Sequence, residues 1–205
     1  WDRYNVVEYA HLEAFLARPE KVWRFVRELV ESYGDAQPND GHRALAALEA
    51  AGRLAAVVTQ NIDGLHQAAG SRRVIEFHGS LRRLYCLSCR RRYEFDAAMR
   101  AAMPCRCPAC RRLLKPDFVF FGEAIPPAAL EEAFGLARRC EVLLVAGTSA
   151  EVAPASLIPY EAKDAGAVVV ELNTRPTVLT GSITDFYLEE PFAAALPELG
   201  RRVIG

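Results

Sequence analysis

The chain has 205 residues, 51% of them apolar and 25% charged, which is enough to bury a core and is typical of a globular protein. Its formal net charge of −1 excludes a global electrostatic field that would recruit nucleic acid or anionic lipid. No apolar run approaches the roughly 20 residues of a membrane helix, and no signal-peptide pattern opens the sequence. We therefore expect no membrane partner, and we do not expect nucleic acid as a direct ligand.

Helical periodicity dominates the first part of the chain. Apolar residues recur at three-and-four spacing over 11–33, which predicts two helices that are separated near Pro19. Residues 35–41 have the composition of a loop. A short helix follows over 44–51, and the apolar run 54–58 predicts a buried strand.

Polar side chains follow this strand at the point where it should end. Gln60, Asn61 and Asp63 come first, and His78 ends a second short strand predicted over 74–77. In open α/β sheets, ligands bind in the crevice beyond the carboxyl ends of the strands. The polar stretch is therefore either part of a ligand site or a loop of Asn and Asp that only turns the chain.

Helices and strands alternate in the second half of the chain. Because each predicted strand is almost wholly apolar, we expect an α/β fold with a mostly parallel, doubly wound sheet covered on both faces. The predicted helices span 127–139, 156–165 and 191–203, and the predicted strands span 141–146 and 167–172.

Residues 81–114 differ from the rest, because Arg and Cys dominate and the apolar periodicity is lost. Four of the six cysteines form two C-x2-C pairs, Cys86/Cys89 and Cys107/Cys110, with seventeen residues between the pairs. Four thiolates at this spacing close a tetrahedral zinc shell with no open position for water, so we predict a structural zinc in a small inserted module. Cys105 is an alternative to Cys107 as the ligand. Such a set suits a reducing compartment, and we expect a cytoplasmic location.

The arginines of this region allow a function of another class. A zinc-ribbon module with local basic charge would bind nucleic acid or acidic proteins. The simpler interpretation is a solvated surface around an anionic zinc centre. The arginines concerned are Arg82, Arg83, Arg90, Arg91, Arg92, Arg106, Arg111 and Arg112.

Several short motifs occur in a fixed order along the chain. They are Thr59-Gln60-Asn61-Ile62-Asp63, Glu76-x-His78-Gly79, the two C-x2-C pairs, Lys115-Pro116-x-x-Val119-x-Phe121-Gly122-Glu123, Gly147-Thr148-Ser149 with Pro154, and Glu171-Leu172-Asn173. This ordered set resembles the sirtuin family of NAD-dependent protein-lysine deacylases. The resemblance covers nearly the whole chain, and Trp1-x-x-Tyr4 and Gln37-Pro38-Asn39-x-x-His42 also match the family pattern.

The resemblance implies a domain organisation. It assigns a Rossmann-like NAD-binding domain to 39–80 and 115–205, the helical part of a small domain to 1–38, and a zinc-binding module to 81–114. The family's Gly-Ala-Gly segment and Asp-Phe-Arg loop are not found in this sequence and would lie upstream of Trp1. Because that segment supplies the first strand and the phosphate-facing turn, we expect a longer protein, and we expect this stretch alone to bind NAD poorly.

The resemblance also implies roles for individual residues. His78 would be the catalytic base that takes a ribose proton, Asn61 would orient a water or the amide, and Asp63 would hold the nicotinamide carboxamide. The implied cofactor-binding residues are Gln60, Asn61, Ile62, Asp63, Gly147, Thr148, Ser149, Asn173, Thr174 and Glu190. The implied substrate-binding residues are Val119, Phe121, Gly122, Glu123 and Val152, although Phe121 could instead be a core residue.

The implied reaction uses NAD to remove an acetyl or apolar acyl group from lysines of acylated proteins, giving nicotinamide and 2′-O-acyl-ADP-ribose. Mono-ADP-ribosyl transfer or NAD hydrolysis on the same scaffold is the alternative. Family members that prefer succinyl or malonyl lysine carry Tyr and Arg at the positions of Val26 and Leu29. Because apolar side chains cannot pair with a dicarboxylic acyl tail, we expect deacetylation over desuccinylation.

Overall fold

The computed structural model describes residues 9–33 and 36–205, which form two compact units. Unit 1 comprises the described part of Trp1–Ala36 together with Asn61–Gly64 and His78–Pro126, and unit 2 comprises Gln37–Gln60, Leu65–Phe77 and Pro127–Gly205. The motif Trp1-x-x-Tyr4 lies outside the described residues. Within the described ranges, every helix is too short or too polar to cross a membrane.

Helices and strands alternate along much of the chain, as the sequence predicts. The helices are α1 Leu12–Ala17, α2 Pro19–Tyr33, α3 Asp40–Ala50, α4 Leu65–Ala68, α5 Ala97–Ala101, α6 Pro127–Ala137, α7 Ile158–Asp164 and α8 Phe192–Ile204, with a 3-10 turn over Ala155–Leu157. The strands are β1 Val57–Thr59, β2 Val74–Glu76, β3 Gly79–Tyr85, β4 Arg92–Glu94, β5 Lys115–Phe118, β6 Val142–Ala146, β7 Val168–Asn173 and β8 Phe186–Glu189.

Unit 1 begins with the predicted helix pair. The break near Pro19 is confirmed, because Pro19 is the first residue of α2, a position that needs no backbone N–H. One face of α2 is apolar, and Trp23 and Val26 on that face are buried. The indole Nε1 of Trp23 donates to the carbonyl oxygen of Leu114 at 3.1 Å, which fixes α2 against the start of β5.

The rest of unit 1 is built on an antiparallel sheet in the order β4-β3-β5. Leu84 on the central strand pairs with Tyr93 on one side and Pro116 on the other. At the other end of β3, Gly79 pairs with Phe118. The predicted module 81–114 does not contain the whole sheet, because β5 extends the sheet to Phe118. The loop 61–64 also belongs to the same unit.

Unit 2 contains the predicted parallel strands. β1 pairs with β2, and β6, β7 and β8 form a second parallel sheet, so the described residues place the parallel strands in two sheets. The α/β class is confirmed. β1 begins three residues after the predicted start at 54 and includes Thr59. β8 is not among the predicted strands.

Helices α3 and α8 pack beside the strands of unit 2, with Leu45, Leu172 and Leu196 in the core that they cover. The predicted loop over 35–41 is wrong at its end, because α3 begins at Asp40. Asn39 caps this helix: its Oδ1 accepts from the backbone N–H of His42 at 3.1 Å, while the backbone N–H of Asn39 faces His42 Nδ1 at 3.3 Å. This reciprocal pair is a capping box.

Candidate active site and metal centre

Four cysteine sulfurs of unit 1 come together as the spacing predicts. The Sγ atoms of Cys86, Cys89, Cys107 and Cys110 all lie within 4.8 Å of one another. The Cys86–Cys110 and Cys89–Cys107 sulfurs are 3.4 and 3.6 Å apart. Four sulfurs bound at about 2.3 Å to a tetrahedral ion are separated by about 3.8 Å. The cluster therefore fits a zinc ion that is fully enclosed by thiolates.

The two C-x2-C pairs form equivalent turns. The backbone N–H of Arg90 donates to Cys86 O at 2.8 Å, and that of Arg111 donates to Cys107 O at 2.9 Å. Both arginines have a positive φ, 61° and 63°, which lets each chain segment curl round the sulfurs. This repeated geometry indicates that the two turns hold one ion in the same way.

Cys105 lies outside the sulfur cluster. It is buried, and its Sγ donates to Met99 O at 3.0 Å. Burial raises the pKa of the Cys105 thiol to about 11, so this side chain stays protonated. Burial also raises the pKa of Cys107, but hydrogen bonds from the Tyr93 hydroxyl and nearby backbone N–H groups outweigh it and bring the pKa to about 6. The geometry favours Cys107 over Cys105 as the metal ligand.

His78 is half-buried and lies immediately before β3 in unit 1. Its carbonyl oxygen accepts from the backbone N–H of Val119 at 2.8 Å. The next residue, Gly79, has φ +74°, and a Cβ there would lie 2.2 Å from Asp117 O. Only glycine fits this close approach. The backbone at His78 is therefore held by the pairing of β3 with β5.

The polar loop 61–64 is placed in unit 1 with His78. The carbonyl oxygen of Ile62 accepts from Leu81 N at 2.9 Å, which attaches the loop to β3 three residues after His78. Asn61 is exposed, and Ile62 and Asp63 are half-buried. The structure thus brings the predicted catalytic residues of unit 1 to one end of β3.

The candidate substrate residues Phe121 and Gly122 lie in a turn after β5. The Phe121 side chain is 48% exposed, so the alternative that it is a core residue is wrong. Its backbone N–H donates to Ala10 O at 2.8 Å, and its carbonyl accepts from Leu12 N at 3.0 Å. These bonds hold the backbone and leave the aromatic ring at the surface. Glu123 differs, because its carboxylate faces inward and pairs with Lys115.

Polar groups of unit 2 converge on Thr148 at the carboxyl end of β6. Gln60 Nε2, just beyond β1, donates to Thr148 Oγ1 at 3.3 Å. Asn173 Nδ2, at the end of β7, donates to Thr148 O at 2.9 Å. The adjacent Gly147 has φ +62°, and no atom of the described residues lies within 4 Å of the position of a Cβ. Amide and hydroxyl groups beside an open glycine turn at the ends of parallel strands suit a dinucleotide.

The remaining predicted residues of unit 2 lie at the surface. Thr174 is exposed, and its backbone N–H donates to Asn173 Oδ1 at 2.9 Å. Val152 is 46% exposed. Ser149 and Glu190 are also exposed. Their accessibility is compatible with ligand binding.

A buried carboxylate lies beside Asn173, on a motif residue to which the sequence assigns no role. Glu171 on β7 is 1% exposed, and it accepts from the hydroxyls of Thr177, Thr180 and Thr184 at 2.6, 2.7 and 2.9 Å. These bonds organise the loop between β7 and β8. The signal was an acidic residue within an otherwise apolar strand.

Comparisons with known proteins give one consistent result. The family model described as the Sir2 family matches residues 1–154. An NAD-dependent protein deacylase of Pyrococcus furiosus is 44% identical over 205 residues, covering 97% of this chain and 81% of the relative.

Solved structures agree with this result. A Sir2 homolog in complex with NAD has a TM-score of 0.93 at 42% identity, covering 99% of this chain and 79% of that one. Sir2Af2 bound to a myristoylated histone peptide has a TM-score of 0.84 at 39% identity, covering 96% and 84%. The family model covers more than half of the chain, and the relatives are well above 30% identical. The chain therefore belongs to the Sir2 family.

Proposed function

We propose that this chain is an NAD-dependent protein deacylase that removes acetyl or apolar acyl groups from lysines of acylated proteins. The observation that carries the proposal is the 44% identity, over 97% of the chain, to a relative named NAD-dependent protein deacylase. The geometry of His78 supports it, because the β3–β5 pairing holds this histidine in one backbone register with the candidate substrate residue Val119.

The cofactor side of the proposal depends on neutral polar groups. Gln60, Thr148 and Asn173 offer amide and hydroxyl groups to NAD, and Gly147 leaves room for its close approach. When bound, NAD supplies the ribose carbon that accepts the acyl oxygen of the substrate as nicotinamide leaves. Ile62, Ser149, Thr174 and Glu190 belong to the same proposed set.

The chemistry proposed for unit 1 centres on His78. A neutral imidazole takes the proton of a ribose hydroxyl, so that this oxygen can attack the acyl carbon. A base of this kind contributes roughly 10²–10⁴-fold to the rate. Asn61 orients a water or the substrate amide, and Asp63 holds the nicotinamide carboxamide. This attack leads to cleavage of the bond between the acyl carbon and the lysine nitrogen, and one water is consumed overall. The products are then the free lysine, nicotinamide and 2′-O-acyl-ADP-ribose.

We assign zinc a structural role. The four thiolates of Cys86, Cys89, Cys107 and Cys110 complete a tetrahedral shell, which leaves no position for a reacting water. The surrounding arginines are in part already neutralised, because Arg83 and Arg92 both pair with Asp117 at 3.4 and 2.9 Å. This pairing supports a solvated surface over a nucleic-acid site.

Acyl preference and location are finer parts of the proposal. Val26 is fully buried and Leu29 packs against the same apolar core, so neither offers a partner to a dicarboxylic acyl tail. A structural neighbour that binds a myristoylated histone peptide supports an apolar acyl group.

The C-x2-C thiols suit a reducing compartment, and we therefore propose that the protein is located in the cytoplasm.

Product analysis tests the proposed function directly. The full gene product, with whatever precedes Trp1 and follows Gly205, is incubated with NAD and an acetyl-lysine peptide, and the products are identified by mass spectrometry. We expect equal amounts of deacetylated peptide, nicotinamide and 2′-O-acetyl-ADP-ribose. ADP-ribose attached to the peptide, or free ADP-ribose with the acetyl group retained, would establish transfer or hydrolysis instead.

A further inference from the structure

A charged lysine is buried beneath the turn that carries Phe121 and Gly122. Lys115, the first residue of β5, is 3% exposed. Its Nζ donates to the carbonyl oxygens of Pro116 and Phe118 at 2.9 and 2.7 Å, and it lies 2.9 Å from Glu123 Oε2. An ammonium group has three N–H donors, so these three acceptors satisfy it.

The carboxylate of Glu123 joins this lysine to the turn. The same Oε2 atom accepts from the backbone N–H of Phe120 at 2.7 Å, and the backbone N–H of Glu123 donates to Phe120 O at 3.0 Å. Lys115 Nζ also lies 4.2 Å from the centroid of the buried Phe120 ring, in a cation–π contact. The turn 120–123 is therefore closed at both ends and attached to β5 through one ion pair.

The two residues inside this turn are held from outside as well. Phe121 is bonded through its backbone to Ala10 and Leu12, and a Cβ at Gly122 would lie 2.8 Å from the His11 ring. Both Phe121 and Gly122 are nevertheless exposed. The surroundings thus fix the backbone of the turn while its outer surface stays accessible.

We propose that Lys115 and Glu123 are positioning residues, whose buried ion pair holds the turn 120–123 in the conformation that binds the acylated peptide. The inference rests on the proposed function. In this proposal the Glu123 carboxylate faces inward and shapes the turn, and it does not itself contact the substrate.

A contribution to the stability of the fold does not explain why this ion pair is buried. A buried ion pair seldom stabilises a fold more than well-packed apolar residues of similar volume, because both charges lose their hydration. The pair does, however, set directions: the ammonium reaches two carbonyls of β5 and the carboxylate reaches a backbone N–H of the turn. Apolar residues at these positions would fill the space without fixing the turn.

A double-mutant cycle on the full gene product tests the proposal. Lys115→Met, Glu123→Ala and the double variant are compared with wild type by kcat and by KM for an acetyl-lysine peptide and for NAD. We expect each single change to raise the peptide KM about tenfold or more, with the NAD KM unchanged. The double variant should be no worse than the worse single variant, because both residues act through one contact. Glu132→Gln, which removes an exposed ion pair with Arg73, is the control and should match wild type.

Direct contact of Glu123 with the peptide predicts a different pattern and would overturn the proposal. In that case Glu123→Ala raises the peptide KM and Lys115→Met does not. Glu123→Gln retains an acceptor for the Phe120 N–H but removes the charge that pairs with Lys115, so we expect its peptide KM to lie between those of wild type and Glu123→Ala. If a single variant fails to fold because one buried charge has lost its partner, the double variant decides: a raised peptide KM supports the proposal and a wild-type value overturns it.

Hydrogen exchange separates this inference from the proposed function. If the wild-type protein does not deacylate the peptide, the proposed function is overturned. The role of the Lys115–Glu123 pair is measured separately, without catalysis, from the hydrogen-exchange rate of the Phe120 amide. We expect that rate to rise about tenfold or more in Glu123→Ala, while the amides of α2 keep their rates. An unchanged rate at Phe120 would overturn the positioning role.

Discussion

The carbonyl oxygen of His78 accepts a hydrogen bond from the backbone N–H of Val119 at 2.8 Å. One residue further on, Gly79 pairs with Phe118 across the same two strands. The proposed catalytic base and the proposed substrate-binding strand are therefore successive parts of one β-ladder. The position of the imidazole depends on this backbone register, which makes the register itself open to test.

Gly79→Ala should disrupt this register. The added Cβ would meet Asp117 O at 2.2 Å in a backbone with φ +74°, so the clash adds to the conformational strain. Gly52→Ala is a matched control, because Gly52 has φ +71° and, in the part of the chain that the structure describes, no atom lies within 4 Å of its Cβ position.

Urea denaturation measures both changes. Strain alone should cost Gly52→Ala about 1 kcal/mol of unfolding free energy, and Gly79→Ala should lose clearly more, together with deacylase activity. Equal losses of stability in the two variants would show that the approach of Gly79 to Asp117 has no energetic consequence.

Zinc binding should depend on Cys107 and not on Cys105. We expect one zinc per chain in wild type and in Cys105→Ser, and loss of zinc in Cys107→Ser, as measured by metal analysis of the purified protein. A zinc site of this type supplies roughly 10–16 kcal/mol of apparent binding free energy, so chelation should lower the thermal unfolding temperature. Loss of zinc from Cys105→Ser with retention in Cys107→Ser would reverse the ligand assignment.

Glu171 should affect NAD more than the peptide. Glu171→Gln replaces an acceptor of three threonine hydroxyls by a group with a competing donor, in the loop that follows Asn173. We expect a loss of about 1–3 kcal/mol of unfolding free energy and a higher KM for NAD. Glu189→Gln changes an exposed carboxylate on β8 and is the control. A rise confined to the peptide KM would contradict this assignment.

Acetyl peptides should be better substrates than succinyl peptides of the same sequence. Val26 and Leu29 pack in the apolar core of unit 1 and cannot neutralise a second carboxylate. The comparison is of kcat/KM for the two peptides side by side, and we expect the acetyl value to exceed the succinyl value by about tenfold or more. Faster succinyl turnover would refute the apolar preference.

The parts of the fold that sequence predicts well are those with a single dominant signal. β6 and β7 are continuous apolar runs, and both lie within a residue of their predicted bounds. α3 begins at Asp40, earlier than predicted. The sequence does not indicate this start because His42 takes the place that Glu or Gln usually holds in a capping box. β8 is not predicted because it has only four residues and is largely exposed, and its apolar run of three residues is too short to indicate a strand.

The candidate site follows the same division. The cysteine cluster and the position of Thr148 beside Gln60 and Asn173 agree with their motifs. The burial of Lys115 and Glu171 could not be predicted, because charged residues are almost always exposed unless paired. Their partners become evident only once the chain has folded.

The proposed function depends most on His78 as the catalytic base. The most direct measurement is the rate of 2′-O-acetyl-ADP-ribose formation by the full gene product and its His78→Ala variant, at saturating NAD and acetyl peptide, with Glu132→Gln as the control. We predict that His78→Ala loses roughly 10²–10⁴-fold in this rate while its thermal unfolding matches wild type. A folded His78→Ala variant that forms the product at the wild-type rate would contradict the claim.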